Sequence, residues 1–278
     1  MLLKRGDSGE DVRSLQRGLN KLGSLLLIDG HFGPGTGDAV MDGRVALRQP
    51  GPPEADDAFQ QALAALPDPF PALTAPGMTF IGRAEVSGPR EYQMKYKNPV
   101  WPGARSGITI GIGYDLRFAD RARLDADWGG QLTSDAVKRL AGVLGAVGSA
   151  ELLSRVRDIE VPLLAAVSVF LRRSLPGTLQ KTLSIYPQAR DLTPARRTAL
   201  VSLVYNRGSR LRDSNPALED RREMRTIRDL LAGARFDEVA DQLDAMCRLW
   251  GPAMPGLVQR RRDEARLWRS GFAPFQLD

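Results

Sequence analysis

The run Ser106-Gly107-Ile108-Thr109-Ile110-Gly111-Ile112-Gly113-Tyr114-Asp115 alternates without a break. Isoleucines and a tyrosine hold the even positions; Thr109, Gly111, Gly113 and Asp115 hold the odd ones. Successive strand side chains point to opposite faces, so the even set is expected in a core and the odd set outward. A single strand rising roughly 3.3 Å per residue would hold Thr109 and Asp115 about 20 Å apart. The glycines at 111 and 113 instead predict a hairpin centred on Ile112, pairing 110 with 114 and 109 with 115. Directly paired residues have Cβ atoms about 5 Å apart. A hydroxyl beside a carboxylate can hold one water, and the small polar face suits close approach of a sugar.

Upstream, Met78–Gly88 reads as a helix that stops near Ser87-Gly88, with Phe80, Ile81 and Ala84 as its apolar face and Glu85 in its last turn. The negative end of a helix dipole disfavours a carboxylate there. A carboxyl that keeps its proton is the general acid that expels a sugar alcohol, a service typically worth about 10²–10⁴ in rate. Glu91 is the alternative acid. Tyr92, Trp101 and Tyr114 are aromatics that either stack on a sugar or pack in the core.

The rare residues exclude other chemistries. The 278-residue chain has one cysteine, Cys247, and one histidine, His31. No intrachain disulfide is possible, and a zinc hydrolase normally needs more histidines than this. Cys247 sits in an amphipathic segment and is expected in the core; His31 lies in the turn Asp29–Pro34. Acid–base work must therefore rest on carboxylates, and no metal or cofactor is expected. The net charge of +6 and pI near 9.8 favour polyanions. The basic residues are scattered as arginine pairs, with no nucleic-acid-binding signature. Arg260, Arg261 and Arg262 are expected on a solvated helix face.

Along the chain, Ser8 is read as the cap of a first helix that buries Val12, Leu15, Leu19 and Leu22 and ends at Gly23. Thr36 is read as the cap of a second, burying Ala39, Val40 and Val45. Seven of the 19 prolines fall in residues 48–77, which predicts a semi-rigid linker containing a short helix over 55–66. Residues 78–278 then form a second domain that is mainly helical after its small hairpin.

Two resemblances attach to these residues. Gly6-Asp7-Ser8-Gly9-Glu10-Asp11-Val12, Leu15-Gln16, Leu22-Gly23, the Asp29–Thr36 run and Ala39-Val40 resemble the peptidoglycan-binding domain of many wall hydrolases. That family usually follows Ala-Val with an apolar residue and Phe-Gln, whereas Met41-Asp42-Gly43 stands here. The second resemblance is to the phage-lysozyme superfamily and its pesticin-like branch. It rests on the helix-terminal Glu85, Thr109-Ile110-Gly111-Ile112-Gly113, Asp115 six residues after the threonine, Ala199–Gly208 and Pro255–Arg262. The commoner phage enzymes place their second carboxylate before the threonine, but residues 98–108 hold no acid. Asp115 takes that place in the pesticin-like pattern.

The resemblances imply a mainly α fold with a small β-hairpin: a lysozyme-like catalytic lobe (78–278) after a small three-helix wall-binding domain (1–47). They imply a muramidase in which Glu85 is the acid and Thr109 and Asp115 handle water, with Tyr114, Trp101, Asn206 and Arg207 as substrate contacts. Two alternatives stay open: a binding protein with a decayed lysozyme fold, and a lytic transglycosylase. The expected partner is the glycan strand of peptidoglycan, met by a monomer, with no nucleic acid and no membrane insertion. With no signal-peptide-like run at Met1–Asp7, the expectation is synthesis in the cytoplasm and action in the periplasm or wall. A phage endolysin, or an antibacterial effector matched by an immunity or inhibitor protein, fits that route.

Overall fold

The computed structural model describes residues 1–103, 105–252 and 254–273. They fall into two compact units, one of residues 1–69 and 82–175, the other of 70–81 and the described residues from 176 on.

The first unit opens with three helices: α1 (Glu10–Lys21), α2 (Pro34–Ala46) and α3 (Asp57–Ala65). Their core holds Val12, Leu15, Leu19, Phe32, Ala39, Val40, Phe59 and Leu63. Gln16 at 1 % exposure orders the turn after α1. Its amide donates to Asp29 (2.8 Å) and to the His31 carbonyl (3.1 Å), and it accepts the Gly30 N–H (3.0 Å). Local capping differs from the sequence expectation. Gly9 caps α1 without a side-chain bond, because Ser8 forms a bridge with His31 and its hydroxyl meets His31 Nδ1 at 2.8 Å. Thr36 lies inside α2. Val45, expected buried, is 78 % exposed.

The expected linker is largely part of this core. Leu3 and Ala55 form a two-way backbone bridge, and Asp56 caps α3. The proline segment before α3 wraps around Arg44, which is 4 % exposed. Arg44 donates to the carbonyls of Gln49, Pro52 and Glu54 and pairs with Asp56 at 2.8 Å. At the other end of α3, Lys21 donates to the carbonyls of Ala64 and Leu66. Prolines stiffen the chain without deciding whether it is free or packed; the apolar face of α3 decided that. Phe59 also lies against Gly43, and supplies bulk where Met41-Asp42-Gly43 departs from the resembled pattern.

The first unit continues with the end of α4 (Thr74–Val86), α5 (Pro89–Lys95), strands β1 (Thr109–Ile110) and β2 (Tyr114–Asp115), α6 (Arg121–Trp128), α7 (Ser134–Ala141), α8 (Ala150–Ser154) and α9 (Leu163–Val169). A π-turn, Phe170–Ser174, joins α9 to α10 (Leu175–Ile185). Leu175 N–H bonds to the Phe170 carbonyl. Pro176 follows and lacks the donor that a regular helix would use there.

The second unit is helical: α11 (Pro194–Arg207), α12 (Arg222–Ala232), α13 (Val239–Ala245) and α14 (Pro255–Ser270) surround a core that includes Leu200, Leu203, Ile227, Leu243 and Trp268. α14 packs on α11 and α13. Of the solvated arginine face expected on α14, Arg262 is exposed, and the expectation for Arg260 and Arg261 is corrected. Arg260 is 8 % exposed and Arg261 is fully buried, beside a fully buried Glu264. Arg261 meets Glu264 at 2.7 Å, and Ser202 donates to the same carboxylate at 2.6 Å. Burial pushes the Glu264 carboxyl up, against the pull of Arg261 and Arg260. Cys247 is half-buried, with its thiol 3.6 Å from the Val258 carbonyl. Among the described residues, no helix is long and apolar enough to cross a membrane.

Phe59→Ala tests whether α3 is structural. It is expected to cost about 3–5 kcal/mol of unfolding free energy, read by denaturant titration; a residue in a free tether would cost almost nothing.

Candidate active site

The hairpin has the register expected from its glycines: Thr109 pairs with Asp115 and Ile110 with Tyr114. Gly111 and Gly113 take positive φ (58° and 69°), and the chain reverses between them. Ile108, Ile110, Ile112 and Tyr114 are 0–6 % exposed, while Thr109 and Asp115 are half-buried. Val100 adds a third partner by exchanging both backbone bonds with Thr109 (2.9 and 2.8 Å). Thr109 is thus held on both edges.

The Asp115 carboxylate is fixed from below. Oδ1 accepts the N–H groups of Gly107 (3.1 Å) and Arg117 (2.9 Å), and Oδ2 accepts Gly107 at 3.2 Å. The bond to Arg117 caps the 3₁₀ turn Leu116–Phe118, so Asp115 does structural work as well as facing solvent in part. Gly107 makes this possible. A Cβ at 107 would lie 2.4 Å from Asp115 Oδ1 and 2.6 Å from Arg117 Cβ. Gly107 belongs to the alternating run, but its role depends on a carboxylate eight residues away, and the local pattern carried no sign of it.

Beneath the hairpin, Tyr114 donates to Asp127 Oδ2 at 2.9 Å and sets its ring edge-on to Trp128, centroids 5.5 Å apart. Asp127 is 4 % exposed. It also pairs with Arg173 at 2.6 Å and lies 3.7 Å from Arg123, while Arg172 donates to its carbonyl. Burial, and then Asp127, push the Tyr114 hydroxyl pKa well up. Tyr114 is therefore a core residue, which corrects its reading as a substrate contact. Tyr92 is likewise fully buried, and donates to the Val161 carbonyl at 2.9 Å.

Glu85 stands where the sequence put it, half-buried in the last turn of α4. Ser87 (φ 62°) and Gly88 (φ 120°) terminate that helix. Glu91, the alternative acid, is in the first turn of α5.

Trp101 is 37 % exposed. Its indole lies across Gly148, where a Cβ would come within 2.4 Å of Cδ1. Asn206 and Arg207 lie in the second unit, at the end of α11. Asn206 is exposed. Arg207 is committed to its own unit: it donates to the Asp220 carbonyl, lies 3.7 Å from the Asp220 carboxylate and sits 5.1 Å over the Trp250 ring. Burial, and then Arg221, bring its pKa down to about 10. These bonds make Arg207 an anchor for the loop after α11. Among the described residues, no group of His, Cys, Asp and Glu is arranged to hold a metal.

Residues 127–264, from Asp127 to Glu264, match the family model of phage lysozyme. The lobe is phage-lysozyme-like. Residues 8–42 match the model of the putative peptidoglycan binding domain, so a wall-binding-type module precedes the lysozyme-like lobe. The pair supports a lysozyme-like function that degrades peptidoglycan. No curated protein matches the chain. The lysozyme match begins after Glu85, Thr109 and Asp115; of these three, the hairpin register brings Thr109 and Asp115 together.

Two substitutions test that geometry. Gly107→Ala is expected to push the Asp115 carboxylate aside and slow wall lysis by up to about 10²-fold, the scale of a 1 Å misplacement; turbidity of purified walls reads it. Gly130→Ala, where a Cβ meets nothing within 4 Å, is the control. Tyr114→Phe is expected to cost about 1.5–3 kcal/mol of stability, because Asp127 loses a donor to a buried charge. Its KM should stay at the wild-type value, as befits a side chain that does not touch substrate.

Proposed function

We propose that the lysozyme-like lobe hydrolyses the β-1,4 bond between N-acetylmuramic acid and N-acetylglucosamine in peptidoglycan. The observation that carries this reading is the Thr109–Asp115 pair, with its carboxylate clamped by two backbone N–H groups. Glu85 gives its proton to the leaving oxygen as the general acid. Asp115 accepts a proton from water that the Thr109 hydroxyl helps to orient. Direct attack by that water inverts the anomeric centre, a course that calls for carboxyls about 6.5–9.5 Å apart. Trp101 offers a partly exposed indole face for a sugar ring. The reaction uses no metal or cofactor.

On this reading the protein works as a monomer in the wall or periplasm, as a phage endolysin or as a secreted antibacterial effector. The N-terminal module adds affinity for the wall.

Digestion of purified walls by the wild type and by Glu85→Gln, followed by mass analysis of the fragments, tests the proposal. Wild type is expected to release muropeptides with reducing muramic ends, and Glu85→Gln to lose about 10²–10⁴ of the rate. Anhydro-sugar ends would identify a transglycosylase instead. Full activity in Glu85→Gln would remove Glu85 from the mechanism. No release by either protein would leave a wall-binding protein with a lysozyme fold.

A further inference from the structure

The N-terminal module is docked against the part of the chain that carries Glu85. Its contact is the loop after α1. Gly23 (φ 98°) lies so near α9 that a Cβ there would fall 2.5 Å from Val167 Cγ1. Leu25 takes a left-handed backbone (φ 53°) and is completely buried. It lies on Gly82 of α4, where a Cβ would fall 2.9 Å from Leu25 Cδ2. The loop is held in this shape from behind: the Asn20 amide accepts the Leu26 N–H (2.7 Å) and donates to the Leu26 carbonyl (2.9 Å).

Arg83 completes the contact. Its Nη1 donates to the Leu25 carbonyl at 2.8 Å. The same Nη1 lies where a Cβ on Gly88 would fall 2.8 Å away, so the guanidinium is packed between the loop and the terminus of α4. Gly82 and Glu85 are three residues apart, neighbours on one helix face. A left-handed leucine is an unfavourable conformation for its type, and the docked surface together with the Asn20 bonds to Leu26 offsets that cost. A module that served solely as a wall tether would need no such contact.

We propose that this loop is a positioning element for the general acid: the module fixes the last turn of α4, with Arg83 as the positioning residue. The proposal rests on the reading of Glu85 as the acid. The module then serves catalysis even on substrates that it does not bind.

The test uses the full chain and soluble, peptide-free glycan strands, on which tethering to walls contributes nothing. Arg83→Gln is expected to lower kcat about tenfold, a loss typical of modest misplacement, with KM and co-sedimentation with walls unchanged. Arg83→Lys should recover most of the loss. Amides 84–88 should exchange hydrogen faster in Arg83→Gln and in Leu25→Ala, the second variant should the first not fold. Wild-type kcat and wild-type exchange in both variants overturn the proposal, as does a loss confined to KM and co-sedimentation. If the wild type cleaves no glycan, the assignment of Glu85 fails instead, and the exchange rates alone decide whether the loop holds α4.

Discussion

One buried carboxylate, Asp127, organises the ground on which the candidate site stands. It receives the Tyr114 hydroxyl from the hairpin and Arg173 from the π-turn, and its own helix brings Arg123 near. A charge at 4 % exposure is tolerable only when paired and hydrogen-bonded. Removing one donor from a buried carboxylate typically costs about 1.5–3 kcal/mol, because the charge it served stays buried. The energy therefore ties three elements together. The two-residue strands of the hairpin are too short to be stable by themselves; their register is held by what lies under them. The π-turn belongs to the same arrangement, since it supplies both Arg172 and Arg173.

Above that layer the site is built by close approach of backbone. Gly107 lets a carboxylate reach two N–H groups. Hydrogen bonds to a carboxylate are among the stronger ones in proteins, and here they also set its direction. A group that must hold one water gains from being fixed in advance, because orientation is then not lost at each turnover. The same economy of small residues operates at Gly82 and Gly23, where the N-terminal module meets α4 and α9.

The arginines show how far composition can mislead. A basic chain suggests a polyanion-binding surface, yet several of its cations are internal fasteners. Arg44 gathers the proline segment, Arg83 reaches the Leu25 carbonyl, Arg261 is sealed beside Glu264, and Arg207 holds the loop after α11. The planar guanidinium suits this use, since it offers five donors in fixed directions and is weakly hydrated for a cation. Carbonyls at turns and helix ends lack regular partners, and a buried arginine can satisfy several at once.

The sequence by itself determined the features that depend on near neighbours. Alternation of apolar residues set the buried face of the hairpin, and two glycines set its register. The spacing of Val12, Leu15 and Leu19 set the face of α1, and Ser87-Gly88 set the end of α4 behind Glu85. Periodicity and turn chemistry are local, so they can be read from a short window. Tertiary structure alone decided the rest. α3 (Asp57–Ala65) became a core helix and not part of a tether because Phe59 and Leu63 joined the core of α1 and α2. Tyr114 became a packing residue because Asp127 waited thirteen positions on. Arg261 went inside because Glu264 and Ser202 were there to receive it, and Asp115 acquired its clamp because Gly107 left room. In each case the side chain's environment is made by residues distant in sequence, and burial and pairing energies belong to that environment.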